Sequence, residues 1–252
     1  MPNNHSQDAL NAQKAKVNGA CPKLKIIAPC TKGNGILKLN PTQQAYYEKR
    51  FHEISVPLCF FIPASGSGSR MFDFFQVELA LGKTELAIKT NEFINRLKDF
   101  ALYKSLNQSQ QEQLTSLHSH KELIEFVLKD EKNGIGLGYL PKGLVPFHSY
   151  DARNNSAFYE HLSQGMSLTD KTVNFHFTIQ DTHKEAFQKA LYNFKSEHKK
   201  GLEVDFSFQD PETDAYVFDQ QNEPLISDNN TYLRRPSGHG ALLSNINKLK
   251  EQ

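Results

Sequence analysis

The sequence predicts an α/β protein with a mostly parallel sheet, a helical insert and a β-ribbon. Residues 173–208 alternate strand, helix and strand, a pattern typical of parallel strands covered by helices. Residues from about 75 to 133 place apolar side chains at helical spacing and predict the insert. Short strand-like segments at 216–219 and 231–234, joined by Asn, Asp and Pro, predict the ribbon.

The N-terminal part of the chain is predicted to divide at residue 40. Residues 1–40 mix Asn, Gln, Lys and Gly without a sustained hydrophobic period, so we expect a loosely ordered segment with a short strand near Leu24–Ile27. Residues 41–252 are predicted to form one α/β domain that includes the insert. This domain begins with a helix at Pro41–Glu53, because Asn40 is a typical N-cap and proline suits the first helical position.

The other elements are predicted in order along this domain. They are a strand at Val56–Ile62, the helices of the insert, a helix at Asn155–Ser163, a strand at Val173–Ile179, a helix at Thr182–Glu197, a strand at Leu202–Phe208, the two ribbon strands, and a helix that opens after Gly240. Glycines at 134, 136 and 138 end the helical pattern of the insert.

Composition and charge exclude several classes of function. The 252 residues include 29 Lys and Arg and 28 Asp and Glu. The chain therefore has no large positive net charge that would favour binding to nucleic acid or to an anionic membrane. Cys21, Cys30 and Cys59 show no CxxC spacing, which indicates neither a disulfide scaffold nor a zinc site. Met1 to Gln13 has no apolar signal-peptide region, and no apolar run is long enough to span a membrane. We therefore expect a soluble, cytoplasmic protein.

The most informative segment is a small-residue loop that follows the Val56–Ile62 strand. After Pro63 and Ala64 the loop consists of Ser65, Gly66, Ser67, Gly68, Ser69 and Arg70. Glycine permits backbone conformations and close approaches that other residues do not, and serine adds hydroxyl donors. Arginine supplies a planar, forked positive charge. This order predicts a phosphate-binding loop delivered by a strand.

Three familiar glycine motifs do not fit this loop. A dinucleotide GxGxxG motif would begin at Gly66, but its last small position is occupied by Met71. No Gly-Lys-Ser or Gly-Lys-Thr follows a glycine at Walker spacing. The residues around Ser67 do not match the GxSxG nucleophile elbow. A plain Gly/Ser turn is the alternative interpretation.

Two later loops combine glycine with a cation or an imidazole. Pro141-Lys142-Gly143 follows the insert, and Gly238-His239-Gly240 opens the last helix. In a parallel sheet such loops gather at the carboxyl ends of the strands, where ligands bind. Taken alone, the first loop is typical of a surface turn, and a lone histidine is typical of a structural residue.

Four segments together resemble motifs of the sugar-nucleotide pyrophosphorylases, particularly the UDP-sugar branch. They are PASGSGSRM at 63–71, LPKGLVPF at 140–147, FQDP at 208–211 and RPSGHGALLSNI at 235–246. The set more closely resembles an uncharacterised bacterial family of pyrophosphorylase-like proteins that share the PASG loop, the PKGL segment and the GHGAL turn. The resemblance covers roughly residues 56–248 and implies a Rossmann-like nucleotidyltransferase fold of the GT-A type.

The resemblance implies nucleotidyl transfer, in which a sugar 1-phosphate attacks the α-phosphorus of a nucleoside triphosphate, with UTP favoured, and pyrophosphate leaves. By this resemblance the residues from Ser65 to Ser69 cradle the triphosphate. Arg70 and Lys142 are the catalytic residues implied, because they would neutralise the pyrophosphate and the reacting phosphates. The remaining residues implied to bind the nucleotide are Gln209 at the base edge and Gly238, His239 and Gly240 at the base or ribose.

The resemblance also implies magnesium as a cofactor. The family places the magnesium-binding aspartate on a strand soon after the glycine loop and helix, and this chain ends at Gln252 before such a strand. We therefore assign no metal ligand and expect an incomplete sheet. The alternative function is a nucleotide-binding or regulatory module without catalysis, since the charge on the phosphates would lack its main counter-ion.

Overall fold

The computed structural model describes residues 4–20, 23–66, 71–81, 88–117, 119–129, 134–151, 153–198, 201–227, 229–235 and 237–249. The chain divides into a larger unit, residues 58–209, and a smaller unit, residues 1–57 and 210–252. The prediction of a mixed α/β protein with small, mostly parallel sheets is confirmed. The single domain over residues 41–252 stays a prediction.

The elements of the described residues are as follows in chain order. The α-helices are α1 (Asn4–Asn18), α2 (Pro41–Glu53), α3 (Asp73–Leu81), α4 (Ile88–Asn95), α5 (Ala101–Lys104), α6 (Gln108–Ser116), α7 (His120–Leu128), α8 (Ala157–Leu168), α9 (Lys184–Glu197) and α10 (Leu243–Asn247). The strands are β1 (Thr31–Lys32), β2 (Gly35–Ile36), β3 (Cys59–Pro63), β4 (Pro146–Ser149), β5 (Asn154–Ser156), β6 (Val173–Ile179), β7 (Leu202–Phe208), β8 (Ala215–Tyr216) and β9 (Arg234–Arg235).

Strand β6 is the centre of a three-stranded parallel sheet in the larger unit, with β3 on one side and β7 on the other. In the register of this sheet, Phe175 lies opposite Phe60 of β3 and Val204 of β7. Parallel neighbours need a crossover connection, and α9 supplies it between β6 and β7. The alternation predicted for residues 173–208 is therefore confirmed.

One face of this sheet is covered by aromatic side chains from α8 and α9. Because successive strand residues point to opposite faces, Phe175 and Phe177 of β6 enter the same core, where both are fully buried. Phe158 of α8 packs against Phe177 with ring centroids 4.6 Å apart. Phe187 and Phe194 of α9 complete this core, which fixes both helices against the sheet.

Helices α3 to α7 lie in the region that the sequence predicts as a helical insert, and they share a core. The buried members of this core include Phe72, Phe75, Leu97, Leu102, Leu114, Ile124, Val127, Ile135 and Leu137. Capping boxes start two of the helices: Asn107 with Gln110 for α6, and Ser119 with Glu122 for α7. Local sequence therefore sets where these helices begin, and their apolar faces set how they pack.

Packing explains the glycines that end the insert. The chain turns back along α7, where the Ile135 and Gly138 N–H groups donate to the carbonyls of Phe126 and Leu128. A Cβ on Gly138 would lie 2.6 Å from the Leu128 carbonyl oxygen, and a Cβ on Gly134 would overlap that of Phe126. The close approach of the two backbone segments therefore requires glycine at both positions.

In the smaller unit, helix α1 occupies residues 4–18 of the segment 1–40 that the sequence predicts to be loosely ordered. Its partners are remote: the Tyr216 N–H of β8 donates to Gln13 Oε1 at 2.9 Å, across 203 positions of sequence. Lys14 forms an ion pair of 2.6 Å with Glu223. Since these contacts are non-local, the composition of residues 1–40 gave no sign of them.

The other elements of the smaller unit agree in part with the sequence. Helix α2 has the predicted bounds, and Asn40 forms its capping box with Gln43. In the region of the predicted ribbon β8 and β9 pair antiparallel, but each shares only one residue, Tyr216 or Arg234, with its predicted strand. Residues 24–27 form no strand, and the nearest strands are the two-residue β1 and β2.

Two further expectations concern membranes and cysteines. Among the described residues, no helix combines the length and apolar character needed to cross a membrane. Cys30 and Cys59 carry free thiols. Cys21 lies outside the described residues.

Gly165 of α8 provides a test of how this helix packs on the sheet. A Cβ there would overlap the ring of Phe175 and lie 3.3 Å from that of Phe60. Overfilling a packed core costs about 1–3 kcal/mol. We expect Gly165→Ala to lower the free energy of unfolding by about this amount, measured by urea unfolding and circular dichroism.

Gly201→Ala is the matched control, because the nearest described atom to its Cβ would be Thr172 Oγ1 at 3.9 Å. Its unfolding midpoint should stay close to that of the parent. A Gly165→Ala variant as stable as the parent would contradict the contact between α8 and β6.

Candidate functional site

The carboxyl ends of β3, β6 and β7 lie at one edge of the sheet, because the three strands are parallel. The Ala64–Gly66 segment leaves β3 at this edge, and Gln209 follows β7. The Ala64 N–H donates to the Thr178 carbonyl at 2.8 Å, which anchors the segment to β6. Ligands of open α/β sheets bind outside this edge.

A side-chain hydrogen bond joins Ser65 to Gln209 across the edge. The Ser65 hydroxyl donates to Gln209 Oε1 at 3.2 Å, although the two residues are 144 positions apart. Ser65 is 9% exposed, so its side chain points into the unit rather than into solvent. The structure therefore brings two of the predicted nucleotide-binding residues together, with the amide oxygen of Gln209 directed at Ser65.

A backbone hydrogen bond joins Gly66 to the Pro-Lys-Gly segment. The Lys142 N–H donates to the Gly66 carbonyl at 3.1 Å, and Lys142 begins a short 3-10 turn that ends at Leu144. A Cβ on Gly143 would lie 3.4 Å from Phe187 and 3.8 Å from the Ala64 Cβ, so the glycine allows this turn to sit close to the loop. The described start of the first loop, Ser65 and Gly66, and the Pro-Lys-Gly segment are therefore parts of one surface.

The side chain of Lys142 brings a positive charge to this surface. It is exposed, and no carboxylate of the described residues forms an ion pair with its ammonium group. A lysine without an acidic partner is available to an anionic ligand.

A cavity of about 420 Å³ opens beside Gly66 and Lys142. Its apolar wall includes Ile62, Met71, Val145, Phe147, Phe158 and Phe177. His161 of α8 is the other lining residue with a polar side chain among those described. Its size is within the range of about 300–1,000 Å³ that is usual for small-molecule sites. The cavity thus combines a cationic entrance with a largely apolar interior.

We expected Gly66 to adopt a backbone conformation that other residues avoid, and this prediction is wrong. The described glycines with positive φ are Gly33, Gly35 and Gly136, so Gly66 occupies a region open to other residues. A Cβ at Gly66 would also meet no atom of the described residues within 4 Å, apart from its chain neighbours. Neither a positive φ nor a contact with the described residues requires glycine here, and its role at a ligand stays a prediction.

A second polar group lies next to the cavity residues Phe147 and His161. Glu160 of α8 is 13% exposed at its side chain, and its Oε1 accepts hydrogen bonds from three donors. These are Tyr150 at 2.9 Å, Asn155 at 3.1 Å and His148 Nδ1 at 3.1 Å. Burial alone would raise the pKa of Glu160, but the hydrogen bonds outweigh it and lower the pKa below its ordinary 4.5.

Tyr159, the preceding residue, connects α8 to α9. Its hydroxyl donates to Glu197 at 2.6 Å and accepts from Arg153 at 2.6 Å. Burial and the hydrogen bond to Glu197 raise the pKa of Tyr159 to about 12, so it stays neutral at physiological pH. Together with Glu160 it fixes α8, which carries His161 into the cavity wall.

Several predicted site residues are not placed at this edge by the structure. Ser67, Gly68, Ser69 and Arg70 lie outside the described residues, so their roles stay predictions. Gly238, His239 and Gly240 belong to the smaller unit. There His239 begins a 3-10 turn that ends at Leu242, and a Cβ on either glycine would meet no described atom within 4 Å. Their role at a nucleotide stays a prediction as well.

No metal site is built from the described residues. Among them, no three His, Cys, Asp or Glu side chains lie close enough together to hold one ion. Magnesium is often bound by one or two carboxylates plus substrate phosphates, and the described residues show no such carboxylate at Lys142. The described residues therefore supply no ligand set for this ion, and magnesium as a cofactor stays a prediction.

The sequence did not single out the cavity residue His161 or the carboxylate Glu160, and it included Phe147 only as the end of the LPKGLVPF segment. The only local signal was the helical spacing of Phe158, Leu162 and other apolar residues in α8, with polar residues between them. That spacing predicts which face of α8 is buried, but not that the edge of this face lines a cavity.

Glu160 generates a prediction about pH. A carboxyl whose pKa is lower in the folded chain adds stability above its unfolded pKa, and this stability disappears as the pH falls through the folded value. We expect Glu160→Gln to lose about 2 kcal/mol of unfolding free energy at pH 7, because hydrogen bonds to a charge are worth about 1.5–3 kcal/mol. The difference from the parent should shrink below pH 4.5.

Urea unfolding by circular dichroism at pH 7 and at several values below 4.5 measures this difference. Glu92→Gln is the control, since Glu92 is exposed on α4. A loss at Glu160→Gln that is equal at every pH would contradict the charged role of the carboxyl.

Comparison with family models gives a match along almost the whole chain. The model described as Domain of unknown function (DUF4301) matches residues 2–252. No curated protein and no solved structure matches the chain. The resemblance to the sugar-nucleotide pyrophosphorylases stays a prediction. Since the matched region covers far more than half of the sequence, the chain belongs to the family described as Domain of unknown function (DUF4301).

Proposed function

We propose that the larger unit binds a nucleoside triphosphate at the carboxyl edge of its sheet and transfers the nucleotidyl group to a sugar 1-phosphate. One observation carries the proposal: three segments that are far apart in sequence meet at this edge. They meet through the hydrogen bonds of Ser65 with Gln209 and of Gly66 with Lys142. A plain surface turn would not need these partners. UTP as the donor and Arg70 as a second cation rest on the sequence resemblance.

The reaction places little covalent work on the protein. An oxygen of the sugar phosphate forms a bond to the α-phosphorus, and the bond to the bridging oxygen breaks, its electron pair leaving on pyrophosphate. The protein's part is to position phosphates and to neutralise charge. In this proposal the Lys142 ammonium neutralises the reacting phosphates, and the open space above Gly66 admits a phosphate close to the backbone. The bond from Ser65 holds the Gln209 amide in a fixed orientation.

A second candidate is a nucleotide-binding module that does not catalyse transfer. It is favoured by the absence, among the described residues, of a cluster of side chains able to hold a metal ion. Nucleotidyl transfer normally depends on such an ion to balance the phosphate charge.

Binding of triphosphate to loop variants tests the site. We expect Lys142→Ala to weaken UTP binding about tenfold or more, because a hydrogen bond to a charged group is worth about 1.5–3 kcal/mol. Gly66→Ala should weaken it similarly, since the added methyl would occupy the space that the ligand needs. Isothermal titration calorimetry measures both. Lys189→Ala is the control, an exposed lysine on α9. Affinities equal to the parent's for both loop variants would contradict the phosphate site.

Pyrophosphate release separates the two candidates. With UTP, magnesium and a panel of sugar 1-phosphates, we expect release that depends on the sugar phosphate and is lost in Lys142→Ala. UTP binding without release for any member of the panel would leave the binding module as the function.

A further inference from the structure

The described residues that line the cavity beside Lys142 offer few side-chain groups that can hydrogen-bond to a ligand. Apart from Lys142 at the entrance, His161 is the lining residue with a polar side chain among those described. Phe158, at 2% exposure, and Phe177, at 0%, belong to the core of the larger unit and present carbon to the cavity. Val145 and Met71 do the same from other segments.

We propose that this cavity binds the organic group of the phosphorylated acceptor, and that this group is poor in hydroxyls. The inference rests on the proposed function and replaces a hydroxylated sugar 1-phosphate, as its acceptor, with a phosphate monoester of a less polar group. Phosphate monoesters of this class carry a carbocyclic, aromatic, alkyl or deoxygenated sugar group. Their phosphate contacts Lys142 and the backbone at Gly66, and their organic group contacts Phe147, Phe158 and Phe177.

The cost of burying hydroxyls argues against a fully hydroxylated sugar in this position. A hydroxyl that leaves water loses its hydrogen bonds to the solvent. If it finds no new partner, the free energy of those hydrogen bonds is not recovered. With the ammonium of Lys142 engaged by phosphate, the His161 imidazole is the other polar side chain that the described lining residues offer to the hydroxyls of the ring. An apolar ring has no such cost and gains from leaving water.

The wall of the cavity is preformed rather than assembled by the ligand. Phe177 lies on the central strand β6, and Phe158 packs on it with ring centroids 4.6 Å apart. Aromatic side chains that are packed this closely keep their positions, so they do not move to expose polar groups to the cavity. Phe147 differs, because it is 51% exposed and lies at the open side. It can be replaced without opening the core.

A pair of ligands of equal ring size tests the proposal. Cyclohexyl phosphate and glucose 1-phosphate each carry a phosphate on a six-membered ring, but the first has no hydroxyls on that ring. Calorimetric titration of the whole chain should give at least tenfold tighter binding of cyclohexyl phosphate. Glucose 1-phosphate binding as tightly as cyclohexyl phosphate, or more tightly, would overturn the proposal.

Substitution of a residue in the cavity wall tests whether the ring of cyclohexyl phosphate binds in the cavity. We expect Phe147→Asn to weaken cyclohexyl phosphate about tenfold and to leave the affinity for inorganic phosphate unchanged. Tyr139→Asn is the matched control, an aromatic side chain that is 67% exposed and does not line the cavity. An equal loss in both variants, or none in Phe147→Asn, would place the ring elsewhere and reject the proposal.

Failure of this inference is distinguishable from failure of the proposed function. If the chain binds UTP through Lys142 but shows no preference for cyclohexyl phosphate, the apolar acceptor is rejected and the nucleotide site stands. If neither UTP nor inorganic phosphate binding depends on Lys142, the phosphate site is rejected and the inference falls with it.

Discussion

The parallel pairing of β6 with both of its neighbours is the constraint on which the candidate site depends. It sends the chain off the sheet at the same edge after β3 and after β7, so Ser65 and Gln209 meet there. It also places Phe177 beneath the cavity and the Thr178 carbonyl beside the Ala64 N–H. An antiparallel neighbour would leave the sheet at the opposite edge and separate these groups.

Sequence alone was sufficient where structure follows from local chemistry. The capping residue Asn40 gave the bounds of α2, and the alternation around α9 gave two strands of the parallel sheet. The sequence was insufficient where an element depends on contacts between residues that are far apart in the chain. Helix α1 is stabilised through Gln13 by Tyr216, which no pattern among the first 40 residues could reveal. The cavity was missed for the same reason, because its wall combines residues from β3, β6, α8 and the segment after Lys142.

Helix α8 contributes three neighbouring residues to the site and its support. Phe158 and His161 are three positions apart, so they lie on one face of the helix, and both line the cavity. Glu160 lies on another face and ties the helix to the β4–β5 hairpin. The rigid position of His161 is thus supported by a buried aromatic residue on one side and by a hydrogen-bonded carboxylate on the other.

The contact of Gly143 with Phe187 has a consequence for how this protein can vary. Because a Cβ on Gly143 would lie 3.4 Å from Phe187, in van der Waals contact, the turn that carries Lys142 packs against a core residue of α9. A smaller or larger side chain at 187 would shift the ammonium group although it touches no ligand. Among family members, changes at these two positions should therefore be correlated, and residue 187 should tune ligand affinity from inside the core.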